Sequence, residues 1–300
     1  MNAGGLDLTD AGAVDRRRRR AAVAHLAGRG GLYAAAVFTA LVAALPFLWG
    51  SITTFKQDRD LYNVHNNPFL FNQPPTLKNV TLLLFHTPFQ TFVRNTVVVG
   101  LAVVAITLVV SLPAAYALAR LNLRWGGGMG IAIFFVYLIP PSLLFISLSR
   151  VVAFLHLQDS IWALIVLYPT ITIPVSVWLL MGFFKTIPRE VEEQAMVDGY
   201  SRGAAFVRAV LPLAFPGMVA VVVFAFTLAS SEFIYALAFV ARTTQKTVSV
   251  GVPTELVRGD VFFWQSLMAA TVMVAVPVAI VFNLFLNRFI TGFTAGAVKG

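Results

Sequence analysis

Apolar residues in this 300-residue chain come in long runs, with polar residues gathered between them. A helix that crosses a bilayer needs ~20 mostly apolar residues. Six stretches qualify: Leu32–Ile52, Thr96–Ala119, Gly130–Leu148, Ile161–Phe184, Pro216–Val240 and Ser266–Leu286. Pro46, Pro113, Pro140, Pro141, Pro174 and Pro277 fall inside them. In a bundle, neighbouring helices and water satisfy the carbonyls that a proline frees, so these positions predict kinks. The expected fold is an all-α polytopic membrane protein with six transmembrane helices. An even number of spans puts both termini on one side.

Composition supports this reading. Apolar residues make up 58% of the chain and charged residues 12%, with a mean hydropathy of +0.81. A soluble domain carries about 45–50% apolar and ~25% charged residues. Lipid must therefore solvate much of the surface. Cysteine is absent, which excludes disulfides and thiolate metal sites. His25, His65, His86 and His156 lie in separate segments, without the spacing of a metal site. No Gly-x-x-x-x-Gly-Lys-Ser/Thr occurs, so hydrolysis of ATP by this chain is not expected. "GGGMG" at 126–130 lacks the lysine and reads as a short cytosolic turn. No catalytic triad or other enzymatic constellation is visible.

Lysine and arginine choose the side. With the N-terminus in the cytoplasm, the inside segments carry Arg16–Arg20, Arg29, Arg120, Arg124, Lys185, Arg189, Arg202, Arg208, Arg288 and Lys299. That is 14 of the chain's 22. The outside segments carry Lys56, Arg59, Lys78, Arg94, Arg150, Arg242, Lys246 and Arg258. Both termini are thus expected in the cytosol. "DRRRRR" reads as part of a disordered basic arm, residues 1–30, that touches anionic lipid. A nucleic-acid patch and a cleaved export signal fit less well; no small-residue cleavage site follows the apolar run. Residues 31–95 are the first span and an outer loop, whose "NNPFLFNQPPTLKN" predicts an ordered cap. Residues 96–287 form the core domain, and 288–300 a cytosolic tail.

One polar segment does not fit an ordinary loop. "EVEEQAMVDGYSRGAAFVRAVLP" at 190–212 is charged and helix-prone. Pro188 suits a first helical turn, and Glu190, Glu192 and Glu193 follow where the helix dipole favours acids. Gly199 can take the left-handed stop, and Ser201 can cap a second helix. In that helix Phe206, Ala209, Val210 and Leu213 share a face opposite Arg208. A helix lying on lipid should be basic on its polar face. The first helix here is acidic, which points to a protein socket.

These residues resemble the "EAA" loop of ABC importer permeases. Glu193, Gln194 and Ala195 stand at its Glu-Ala-Ala, Asp198 and Gly199 at the following Asp-Gly, and Leu211-Pro212 at its end. Gln194 replaces the first alanine, and Ala209 stands where isoleucine is usual. "TPFQTFVRNT", "AAYALARL", "FFKTIPREVEEQA" and the terminal "GFTAGAVKG" extend the likeness from about residue 31 to the end, within the maltose-type carbohydrate-uptake branch and its member with the GAVKG tail. Ser230-Ser231-Glu232-Phe233 departs from the Trp-Asn-Glu/Asp-Phe usual in that branch's fifth span.

The resemblance implies a type I ABC importer permease fold and a carbohydrate-translocating subunit of the bacterial cytoplasmic membrane. Its implied partners are a second homologous permease, two ATPase subunits that bind ATP and Mg, and an extracytoplasmic sugar-binding protein. Glu193, Gln194, Ala195, Asp198, Gly199, Leu211 and Pro212 would couple to the ATPase. Ala297, Val298, Lys299 and Gly300 would thread between the ATPase subunits as an extended tail. The segment Arg242–Phe262, with Pro253, would reach the binding protein. Glu232, the one acid well inside an expected span, lies near its outer end and reads either as a structural group among headgroups or as part of the translocation pathway. The competing reading is an ion-coupled secondary carrier or channel. That needs intramembrane acids or matched broken helices, and Glu232 alone answers that requirement.

Overall fold

The computed structural model describes residues 8–121, 126–259 and 261–297, and these are predominantly helical. The first helix, α1 (Leu8–Thr54), leads to a cap containing α2 (Asp58–Leu61) and α3 (Lys78–Phe85). The body begins with α4 (Phe89–Arg120), α5 (Gly126–Tyr137), α6 (Pro141–Phe154), α7 (Ile161–Leu167) and α8 (Pro169–Thr186). A polar hairpin follows: α9 (Arg189–Val197), α10 (Arg202–Ala205), a π-helical turn at Phe206–Val210, and α11 (Leu211–Leu213). The chain returns through α12 (Phe215–Ser231), α13 (Ile234–Phe239) and α14 (Val248–Leu256). Two short antiparallel strands, β1 (Val257–Arg258) and β2 (Val261–Phe262), precede α15 (Trp264–Ala297).

Four helical stretches are long and apolar enough to span a membrane: Gly28–Thr54, Phe89–Arg120, Ile161–Thr186 and Trp264–Leu284. Counting each of two bent pairs as one span raises the number to six, although the first member of the second pair is the limb of a polar hairpin. Gly128–Tyr137 and Ser142–Phe154 meet at 91°, and Arg202–Leu213 meets Phe215–Ser231 at 75°. The third expected span, Gly130–Leu148, is thus divided instead of kinked. Pro140 sits at φ −59°, ψ 130°, because a residue before a proline is pushed out of the helical region. The fifth, expected to reach Val240, stops at Ser231 and restarts at Ile234. The arm expected to be disordered is helical from Leu8, since arginine and alanine are strong helix formers and no proline interrupts them. The glycines at 126–130, expected as a turn, already belong to α5. An extended tail was expected at the C-terminus. The chain instead remains helical to Ala297, while Val298, Lys299 and Gly300 lie outside the described residues.

Helix α4 is the centre of the body and packs on α8, α12, α5 and α14, while α1 leans on α15. Gly100 lets α4 and α12 close; a methyl group there would sit 2.7 Å from the Phe226 ring. Between α4 and α8 the buried hydroxyls of Thr107 and Thr172 pair at 2.6 Å. Apolar side chains fill three regions, one of which joins Leu83 of α3, Phe89 and Phe92 of α4, and Val252 and Leu256 of α14. Val99, Val103, Leu164, Tyr168 and Tyr235 lie towards the cap. Ala115, Tyr116, Leu180, Phe184 and Val210 lie towards the hairpin.

The cap is ordered, as its Pro and Asn content predicted. Lys56, 1% exposed, donates to the Asn67 carbonyl at 3.0 Å and lies 3.6 Å from the Asp60 carboxylate. Asp60 also accepts the amides of Asn66 and Asn72 at 2.9 Å. Asn79 ties the cap to α1 through the carbonyls of Thr54 and Lys56.

Candidate functional site

The polar hairpin turns on Gly199, whose φ is +94°. Its N–H donates to the Met196 carbonyl and the Tyr200 N–H to the Ala195 carbonyl, both at 3.1 Å. That pair of bonds is the Schellman stop of α9 and requires the left-handed residue. Ser201 caps α10 by accepting the Ala204 N–H at 3.4 Å. Pro188 precedes the first helical residue of α9 with an extended ψ of 141°. The corner forms as its sequence predicts.

The hairpin sorts its residues by face. Glu193, Gln194, Asp198 and Gly199 are exposed, and so is Pro212; Leu211 is half-buried. Ala195 is buried. On the second limb Val210 is buried, and Phe206 and Ala209 are half-buried, as their shared face predicts; Leu213 is exposed. Arg208 stands over the Tyr200 ring at 5.2 Å, a cation–π contact that braces the corner.

The inward side holds residues the loop motif did not identify. Glu192 is only 6% exposed and accepts a hydrogen bond from the Tyr116 hydroxyl of α4. One turn further along α4, Arg120 is 7% exposed and donates to the Ile187 carbonyl at 2.5 Å. Beside them lies a cavity of about 410 Å³ lined by Arg120, Arg189, Arg202, Glu192, Glu193 and Met196. Tyr116 and Arg120 both stand in "AAYALARL", a stretch the sequence singles out. Their partners lie 67–76 positions away, and no local pattern announces that pairing.

Glu232 occupies the break between α12 and α13. Its carboxylate accepts the backbone N–H of Tyr235 at 3.0 Å and of Ala236 at 3.2 Å. Ser249 holds its carbonyl at 2.7 Å. The glutamate therefore caps a restarting helix and does not sit along a continuous one. Ser230 and Ser231 line an open groove of about 490 Å³ with Thr227, Ser249, Pro253 and Thr271, between α12, α14 and α15. Pro253 is inside α14 and half-buried in that groove. The exposed projection beyond it is the β1–β2 turn, where Val261 and Phe262 face out.

At this end the chain is also stitched by side chains. Asn95 donates to the carbonyls of Thr244 and Lys246 at 2.9 and 3.0 Å. Thr96 accepts the Val248 N–H at 2.9 Å. Asp159 accepts the N–H groups of Arg242 and Ala241 at 2.6 and 2.9 Å. The Arg242 backbone donor is foremost in lowering the Asp159 pKa, against desolvation, with Ala241 and the Arg242 charge adding to it.

Comparison with known proteins joins these features. The chain is 36% identical over 257 residues to a sulfoquinovosyl glycerol transport system permease protein of Agrobacterium fabrum, covering 85% of this chain and 88% of the relative. It is 31% identical over 270 residues to the trehalose/maltose transport system permease protein of Thermococcus litoralis, covering 88% and 95%. It is 30% identical over 268 residues to a diacetylchitobiose uptake system permease protein of Streptomyces coelicolor, covering 89% and 95%. A chain from the crystal structure of a bacterial ABC transporter involved in alginate import shares the fold, with a TM-score of 0.72 and 18% identity over 96% of this chain and 100% of that one. Residues 107–294 match the family described as "Binding-protein-dependent transport system inner membrane component". The chain belongs to this family, the multi-pass inner-membrane permeases of ABC importers, which hydrolyse no ATP themselves and work with an ATPase and a substrate-binding protein.

Proposed function

We propose that this chain imports a carbohydrate across the bacterial cytoplasmic membrane, paired with a second homologous permease, two ATPase subunits and an extracytoplasmic sugar-binding protein. Three relatives carry names of glycosidic cargo of different size: sulfoquinovosyl glycerol, trehalose/maltose and diacetylchitobiose. Their shared chemistry is a hydroxyl-rich sugar. Both termini and the hairpin face the cytosol, by the Lys/Arg bias.

The observation that carries this reading is the hairpin. Gly199 at positive φ presents an acidic face, Glu193, Gln194 and Asp198, away from the body. ATP and Mg belong to the ATPase subunits. Closure of their dimer pushes on the hairpin, and the spans rock open towards the binding protein. Ala297–Gly300 reaches the ATPase pair from the same side. The β1–β2 turn, above Pro253, meets the binding protein.

Two measurements test it. Ser201→Cys and Thr244→Cys should label from opposite sides with an impermeant thiol reagent, and outside labelling at position 201 overturns the topology. Glu193→Lys should release the ATPase subunits on purification; normal uptake by that variant overturns docking.

A further inference from the structure

Two adjacent glutamates of α9 differ in burial. Glu193 is exposed, whereas Glu192 is buried. Successive helical residues point about 100° apart, so one helix can face a partner with one acid and the body with the other. Burying a carboxylate costs stability unless it is hydrogen-bonded and offset by charge. Tyr116 supplies the bond, and Arg120, Arg189 and Arg202 line the same cavity. Four residues along α4, on the same face, Arg120 grips the Ile187 carbonyl at the elbow between α8 and α9.

We infer that Tyr116, Arg120 and Glu192 form a strap that fixes the coupling hairpin to α4. This rests on the hairpin being the ATPase contact. Without the strap, a push on Glu193 would flex the short elbow at Ile187–Pro188. With it, α9 and α4 move as one body. At its far end α4 carries Asn95 and Thr96, which hold Thr244, Lys246 and Val248. Its 32 residues span about 48 Å at ~1.5 Å each. One helix thus grips the hairpin at one end and the segment leading to α14 at the other. Tyr116 and Glu192 are positioning residues in this scheme; Glu193 makes the contact.

The test uses the complete transporter in proteoliposomes, with basal and binding-protein-stimulated ATP hydrolysis measured side by side. Tyr116→Phe removes one oxygen and keeps the ring in its apolar site. Its ATPase subunits should still co-purify, its basal hydrolysis should persist, and stimulation should drop roughly tenfold, the scale of one lost hydrogen bond to a charged group. Glu192→Ala should behave alike. Glu192→Gln keeps an acceptor oxygen for Tyr116 and should recover most of the stimulation. Full stimulation in Tyr116→Phe overturns the strap, as does an equal fall of basal and stimulated rates in both Tyr116→Phe and Glu192→Gln. If Glu192→Ala does not assemble, Tyr116→Phe decides alone. Loss of the ATPase subunits from Glu193→Lys, with Tyr116→Phe still assembled, separates the strap from docking itself.

Discussion

At the hairpin end, Tyr116 and Arg120 bond the hairpin and its elbow to α4, and Glu193, Gln194 and Asp198 are exposed. At the cap end, Asn79, Asn95, Thr96, Asp159 and Ser249 bond to backbone groups, and a buried Lys56–Asp60 pair sits beneath the loops. Loops on a membrane protein's surface become ordered only when side chains supply the hydrogen bonds that regular structure would otherwise provide. The cap end has that supply at many points. The hairpin end has few polar fastenings, Tyr116 to Glu192 and Arg120 to Ile187, beside the apolar packing of Phe206 and Val210 against α4 and α8. Such an arrangement suits an element that must transmit force and engage a partner.

The largest effect on uptake should come at the corner of the hairpin. A methyl group on Gly199 would meet nothing within 4 Å, so the constraint there is φ alone. A β-branched residue at positive φ is a genuine outlier, and the left-handed region costs an L-residue roughly 1–2 kcal/mol. That lowers the population of the formed corner by roughly 5–30-fold. Gly199→Val should therefore abolish binding-protein-stimulated uptake while the protein stays in the membrane. Gly199→Asn, which tolerates positive φ better, should keep a measurable part of it. Equal uptake in both variants would remove the corner from the comparison.

The sequence showed the corner because its determinants are local: acids, then Gly199, then Ser201, within one short stretch. The six apolar runs were equally legible, since length and hydropathy decide membrane crossing. Where the runs break was not. Pro140 and Pro141 were visible, but whether a proline pair yields a kink or a 91° turn depends on what the following helix packs against. The break at Glu232 has no proline or glycine within it. The groups bonded there are Ser249, seventeen residues on, whose hydroxyl donates to the Glu232 carbonyl, and the carboxylate itself, which caps α13. Tyr116 was legible as part of a resemblance and silent as chemistry, because its acid lies across the fold.

A second test asks whether the cap end is as rigid as its bonds imply. Lys56→Met would leave the Asp60 carboxylate buried without its cation. Removing one partner of a buried pair costs about 3–5 kcal/mol. Hydrogen exchange across residues 55–86 should accelerate strongly, with the hairpin unchanged. Adding Asp60→Asn should recover part of the protection, because the uncompensated charge is gone. Acceleration at the hairpin as well would mean that the two ends are not independently held.

The smallest effect concerns pH at the Asp159 staple. This carboxylate is partly exposed, and its pKa lies below the ordinary value because the backbone N–H groups of Arg242 and Ala241 favour the charged form. A folded pKa that is depressed contributes stability above the unfolded value, ~3.9 for aspartate. That contribution is lost as pH falls through the lower folded value. A spin label on Thr244→Cys reports this directly, since the chain has no other cysteine. Its mobility should stay constant from pH 7 down to the ordinary carboxylate range and rise only below it. Asp159→Asn should show the raised mobility at every pH, for its amide accepts less strongly and cannot pair with Arg242. Asn95 still holds the Thr244 and Lys246 carbonyls in both cases, so the change should be modest and confined to this segment. A label as mobile in the unaltered staple as in Asp159→Asn at neutral pH would show that Asn95 and Thr96 alone fix the outer end of α4 to its loop.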